Sequence, residues 1–187
     1  AYMALAYGME RIDYFTYWQH YNQTATETMK ESAVVWEYDE ATGTYKGVYL
    51  PMYDYIKATN LEVKKLDNVV LAFDYAGTRL AAGQTATAGV FDDAAIYLGD
   101  SIANGAAAAY DLAIGCFTFG SEYKGYMLVN ADDPSNGRSN ATAMNFGNEY
   151  GHAICYINGM PVMKTLTEGK LSLTLGAGDG VFVVPVA

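Results

Sequence analysis

Apolar and polar positions change rhythm partway along the chain. Met52, Ile56, Thr59, Val63, Leu66 and Val70 follow one another at alternating steps of four and three. They therefore share one stripe of a helix, while Asp54, Lys57, Lys64, Lys65 and Asn68 fall off it. Pro51 suits the first turn of that helix, because its fixed φ is helical and its missing N–H is not needed there. Upstream, the pattern predicts a short helix ending at Gly8, a strand over residues 12–18 and a long irregular loop. After residue 75 the helical period disappears. Gly, Asn and Asp punctuate the β-prone runs DLAIGCFTF, KGYMLVNA, NATAMNF, HAICYING, KLSLTL and GVFVVPV. Asn136-Gly137, Asn158-Gly159 and Glu168-Gly169 supply turn signals between them, a spacing that predicts a small antiparallel sandwich. Residues 77–108, rich in Ala, Gly and Thr, are expected to form connecting loops and edge strands.

A lone strand followed by a lone helix cannot satisfy the strand's two edges or cover the helix's stripe. The first half is therefore expected to need neighbours. Strand, loop, helix and then all-β is the order found where a β/α barrel ends and a trailing domain begins. The expected fold class is α/β followed by all-β. Residues 1–75 would be the last strand and helices of a TIM-type barrel, and residues 76–187 a β-sandwich accessory domain.

Composition narrows the function classes. The chain has 187 residues, 51% of them hydrophobic, with mean hydropathy near zero, enough to bury a real core. Its formal charge of −10, a pI near 4.4 and the lack of any Lys/Arg cluster oppose nucleic-acid and anionic-membrane partners. No apolar run approaches the roughly 20 residues that span a bilayer. The opening Ala1-Tyr2-Met3-Ala4 has no initiator Met and no basic signal-peptide start, as expected if the numbering begins inside a longer polypeptide. Cys116 and Cys155 lack any CxxC or CxxH spacing, so neither a metal motif nor a thioredoxin-like motif is expected. Inert buried thiols and a disulfide between neighbouring strands both fit. No cofactor is implied.

Ala6-Tyr7-Gly8, Ile12, Tyr14-Phe15-Thr16-Tyr17-Trp18, Gly43 and the helix positions Tyr53, Ile56, Lys57, Asn60, Val63 and Leu66 resemble the last barrel units of clan A, β-galactosidase-like glycoside hydrolases. Tyr126-Met127-Leu128-Val129-Asn130, Leu173-Thr174-Leu175 and Gly178-Asp179-Gly180-Val181-Phe182-Val183 are similar to the sandwich that follows such barrels. The resemblance implies two catalytic glutamates about 5 Å apart, at the ends of barrel strands four and seven. The chain begins after that seventh strand, so none of its own residues is implied as catalytic. The partners implied are a carbohydrate and the missing N-terminal barrel portion of the same enzyme.

The candidate substrate-binding residues follow from the eighth-strand position. Trp18 would end the strand at the barrel mouth and lie beneath a sugar ring, beside Tyr17, with Gln19 and His20 supplying hydrogen bonds. The plainer account is that Tyr14, Phe15 and Tyr17 pack against the barrel and that His20 is an exposed or structural imidazole. His152 has no local ligand partner. Gly176-Ala177-Gly178-Asp179-Gly180 precedes a strand and not a helix, so it reads as a turn and not as a phosphate loop. Asn22-Gln23-Thr24 and Asn140-Ala141-Thr142 match the glycosylation sequon.

Two functions of different classes are therefore expected. One is the C-terminal portion of a glycoside hydrolase, inactive in isolation, in an extracellular or periplasmic setting. The alternative is a non-catalytic carbohydrate-binding or cell-surface module, in which 17 tyrosines against 11 basic residues serve a flat binding face. A purely structural domain is the least demanding third.

Overall fold

The computed structural model describes residues 1–13, 33–79, 111–133 and 135–187, and the backbone alone of 18–20, 80–81, 106–108 and 134. The chain divides into two compact units, Ala1–Glu10 with Val63–Ala187, and Arg11–Glu62.

The larger unit is built on a six-stranded sheet in which every neighbouring pair is antiparallel. Its strands are β4 (Asp74–Ala81), β6 (Leu112–Phe119), β7 (Tyr123–Asn130), β9 (His152–Ile157), β10 (Met160–Thr165) and β12 (Gly180–Val186). They stand in the order β10-β9-β12-β7-β6-β4. A second sheet, in the order β11-β8-β5, contains β5 (Ala106–Ala108), β8 (Asn140–Asn145) and β11 (Lys170–Leu175).

Alternation along the strands explains the packing. Leu112, Ile114 and Cys116 of β6, Tyr126 and Leu128 of β7, and Val181 and Val183 of β12 join Met144, Leu171 and Leu175 of the second sheet in one core. The intervening residues Ala113, Phe117, Met127, Val129, Phe182 and Val184 face the other way. They pack against helix α1 (Tyr2–Ala6) and the last turns of helix α2 (Pro51–Val70), through Tyr2, Leu5, Ala6, Leu66 and Val70. The central strands are thus covered on both faces, which is why they read as nearly continuous apolar runs. Each fully buried Phe, Leu or Met contributes roughly 1.5–3 kcal/mol. β8 and β11 are covered on one face only and alternate accordingly.

Local chemistry holds these elements in place. α1 is closed by Met9 N donating to Ala4 O (3.0 Å) and Gly8 N donating to Leu5 O (2.9 Å), the paired bonds of a Schellman end. Thr78 Oγ1 of β4 donates to Ala6 O at 2.7 Å and ties this helix to the sheet. Beneath α1, Gly115 of β6 has no side chain, because a Cβ there would collide with the Ala6 backbone. Asn158 (φ 51°) and Gly159 (φ 71°) form the two-residue turn between β9 and β10, where both residues must take positive φ.

The smaller unit holds a three-stranded sheet of order β1-β2-β3, from β1 (Trp18–His20), β2 (Val34–Asp39) and β3 (Thr44–Tyr49). β1 runs parallel to β2, and β2 and β3 form an antiparallel hairpin. The first turns of α2 follow.

The expected fold class, a TIM-type barrel end followed by a sandwich, is corrected by this architecture. The chain is mainly β, with antiparallel sheets and two helices among the described residues. The stretch expected to be an irregular loop contains the β2–β3 hairpin, whose antiparallel pairing has no place in an all-parallel barrel. The last turns of the α2 stripe find their partner within the chain, since Leu66 and Val70 are buried against its own six-stranded sheet, while Met52 at the start of the stripe is exposed. Both helices supply what the second face of that sheet requires.

Candidate functional site

The hairpin of the smaller unit carries the most conspicuous surface among the described residues. β2 and β3 pair from Val34↔Tyr49 to Asp39↔Thr44, and residues 40–43 close the loop. Asp39 shapes that loop: its Oδ1 accepts from Ala41 N (2.9 Å) and Thr42 N (3.4 Å), and its carbonyl accepts from Gly43 N (2.8 Å). Directly paired residues share a face. One face therefore presents Trp36 and Tyr38 from β2, with Tyr45, Gly47 and Tyr49 from β3, while Glu37, Asp39, Thr44 and Lys46 occupy the other.

The rings form three stations along the strand direction. Tyr38 and Tyr45 lie with centroids 5.1 Å apart at the loop end. In the middle Trp36 pairs with Gly47, where a Cβ would stand 3.7–3.8 Å from the six-membered ring of the indole, so the indole covers a position without a side chain. At the far end Tyr49 meets Tyr53 of α2 at 4.3 Å, and Lys57 Nζ lies 6.0 Å from the Tyr53 ring centre. The outermost stations are two i to i+2 steps apart, about 13 Å. These rings are presented and not packed away: Trp36 is 37% exposed, Tyr38 49%, Tyr45 65% and Tyr49 66%, against 2% or less for Phe117 and Phe182 in the larger unit. Clustered exposed rings mark interaction surfaces, because water pays nothing back for leaving them uncovered.

Of the candidate residues expected from sequence, Tyr17 lies outside the described residues. Trp18, Gln19 and His20 form β1, of which the backbone alone is described. β1 is hydrogen-bonded beside β2, with Trp18, Gln19 and His20 in register with Val34, Val35 and Trp36. The ring face itself was not anticipated. Its signal was a period of two, Trp36-x-Tyr38 and Tyr45-x-Gly47-x-Tyr49, around a Thr-Gly turn.

Other candidates resolve individually. Cys116 and Cys155 are free and buried in the sandwich core. Two strands separate β6 from β9, so their backbones stand about 14 Å apart, well beyond the reach of a disulfide. Burial pushes the Cys116 thiol up to about 12 and the Cys155 thiol up to about 11. His152 is exposed on β9. Gly176 N donates to Asp179 Oδ2 (3.1 Å) and Asp179 N to Gly176 O (3.0 Å), so residues 176–179 are a turn leading into β12. Asn22 lies outside the described residues, whereas Asn140 is fully buried and its Nδ2 donates to Asp111 O at 3.3 Å, so this sequon is closed to modification. No group of three His, Cys, Asp or Glu suited to a metal occurs among the described residues. No described helix is long and apolar enough to cross a membrane.

A small apolar recess in the larger unit, about 90 Å³, lies between α1 and the end of α2. Leu5, Met9, Leu66 and Val70 line it, with Lys64 and Asp67 among its polar residues.

No protein-family model matches the chain, and neither a curated protein nor a solved structure matches it. The resemblance to clan A glycoside hydrolases is therefore corrected: among its described motif residues, Gly43 sits in a hairpin turn and those after residue 125 on antiparallel strands and the turn leading into β12, residues 14–17 lie outside the described residues, and no comparison supports the family.

Proposed function

We propose that the chain is a carbohydrate-binding module whose sugar-binding surface is the ring face of the β2–β3 hairpin. One observation carries the proposal: the exposed indole of Trp36, set against Gly47 and flanked by the pairs Tyr38–Tyr45 and Tyr49–Tyr53. A pyranose has an apolar face of C–H groups and an equatorial rim of hydroxyls. An aromatic ring meets the first, and tyrosine hydroxyls at the margin meet the second. Tyr and Trp also hold few rotamers, so presenting them costs little entropy on binding. The acidic balance of the chain speaks against a phosphate backbone as the occupant. Trp18, Gln19 and His20 belong to the same proposal through β1, the strand adjoining β2.

Titration of the full chain against a panel of soluble polysaccharides, by affinity electrophoresis and calorimetry, tests the proposal. Saturable binding by the native chain that disappears in a Trp36→Ala, Tyr45→Ala double variant with an unchanged circular-dichroism spectrum is the expected result. Failure of the native chain to be retained by any polysaccharide, or equal retention of the double variant, overturns it.

A further inference from the structure

We infer that the ligand of this face is an uncharged glycan segment that lies lengthwise along the hairpin and occupies all three ring stations at once. The inference rests on the carbohydrate reading above and specifies its ligand. Two observations support it. The first is geometric: the stations follow one another along the strand direction, from Tyr49–Tyr53 through Trp36 to Tyr38–Tyr45, over about 13 Å, longer than a single pyranose. A monosaccharide covers one station and leaves the others wet, whereas an extended chain stacks on each in turn.

The second is electrostatic. Residues 11–62 hold eight acidic and four basic side chains, a net charge of −4. Glu40 stands exposed in the loop that ends the hairpin and Asp54 in the first turn of α2, while on the opposite face Asp39 is exposed and Glu37 stands across from Lys46. Lys57, beside Tyr53, is the basic residue placed at a station. The net negative charge of this segment disfavours uronate or sulfate groups, and added salt relaxes the repulsion.

Calorimetry of the full chain with cello- and manno-oligosaccharides of one to six units, and with oligogalacturonates of equal length at low and high salt, tests this. Affinity for a neutral series should climb at least about tenfold from one to three or four units and then level off, as successive rings engage. Tyr45→Ala should shorten the climb while leaving short oligomers bound. Oligogalacturonates should bind at least about tenfold more weakly at low salt, with the gap narrowing as salt rises. Length-independent affinity, or uronates bound as tightly as neutral chains, overturns the inference while leaving the sugar-binding face standing. Absence of binding to every oligosaccharide and polysaccharide removes the face itself as a sugar site.

Discussion

In the larger unit Phe117 and Phe182 meet edge to face at 5.6 Å, beneath helices and out of contact with bulk water, and Phe182 also touches the half-buried Phe73 at 5.4 Å. In the smaller unit Trp36, Tyr38, Tyr45 and Tyr49 line up on one face of a hairpin and stay in solvent. The same residue class thus serves cohesion in one place and presentation in the other. The difference arises from what stands opposite. Phe117 and Phe182 face α1 and α2, whereas the hairpin rings face no described element heavy enough to bury them. Cohesive rings should carry stability and little binding, and presented rings the reverse.

The largest expected effect is on the cohesive side. Phe182→Ala removes a ring that contacts Phe73, Phe117 and Tyr156, and should cost about 3–5 kcal/mol by chemical denaturation. Tyr45→Ala, by contrast, trims a ring that is 65% exposed and should cost no more than about 1 kcal/mol. A comparable loss from both would erase the distinction between the units.

The next effect is on pH dependence and belongs to the sandwich alone. Cys116 and Cys155 have folded thiol values of about 12 and about 11, above the ordinary unfolded value of about 8.5. A raised folded value means that the unfolded chain releases the proton first. Their contribution is therefore intact below about pH 8.5 and lost as pH rises from there to 11–12. Melting temperatures measured from pH 8 to 11 should fall more steeply for the native chain than for a Cys116→Ala, Cys155→Ala variant. Equal slopes would place the thiols in contact with solvent.

The smallest effect is a gain. Thr142 on β8 is 3% exposed, and among the described residues its Oγ1 has no hydrogen-bond partner. Thr142→Val exchanges that buried hydroxyl for a methyl group and should raise stability by about 1 kcal/mol. A destabilised variant would mean that the hydroxyl is bonded in solution.

Much of the sandwich was legible because its signals are local. DLAIGCFTF, KGYMLVNA and GVFVVPV are nearly continuous apolar runs, and each forms a central strand; Asn158-Gly159 forms the turn its residue types call for. The hairpin was less legible although its period of two is plain. Rings on a strand ordinarily signal a buried face, and here they are exposed. Only the register, which sets Gly47 opposite Trp36 and Tyr45 opposite Tyr38, reveals a continuous strip. Trp18 and His20 follow from a resemblance that implies a parallel barrel, and the hairpin beside them falls in a stretch whose pattern predicts a loop.

By itself the sequence determined local conformation: a helix from Pro51 to Val70 with a stripe at the right angular spacing, β runs separated by positive-φ turns, and an acidic chain of formal charge −10. Backbone sterics and hydrophobic periodicity act within a few residues, so they can be read along the chain. What covers each apolar surface was decided only in three dimensions. A stripe such as Val63, Leu66 and Val70 specifies that an apolar partner exists but not which one, whereas the hairpin rings stay largely exposed. Pairing across the sheets joins positions far apart in the chain, and that choice set the last turns of α2 over the face of the six-stranded sheet.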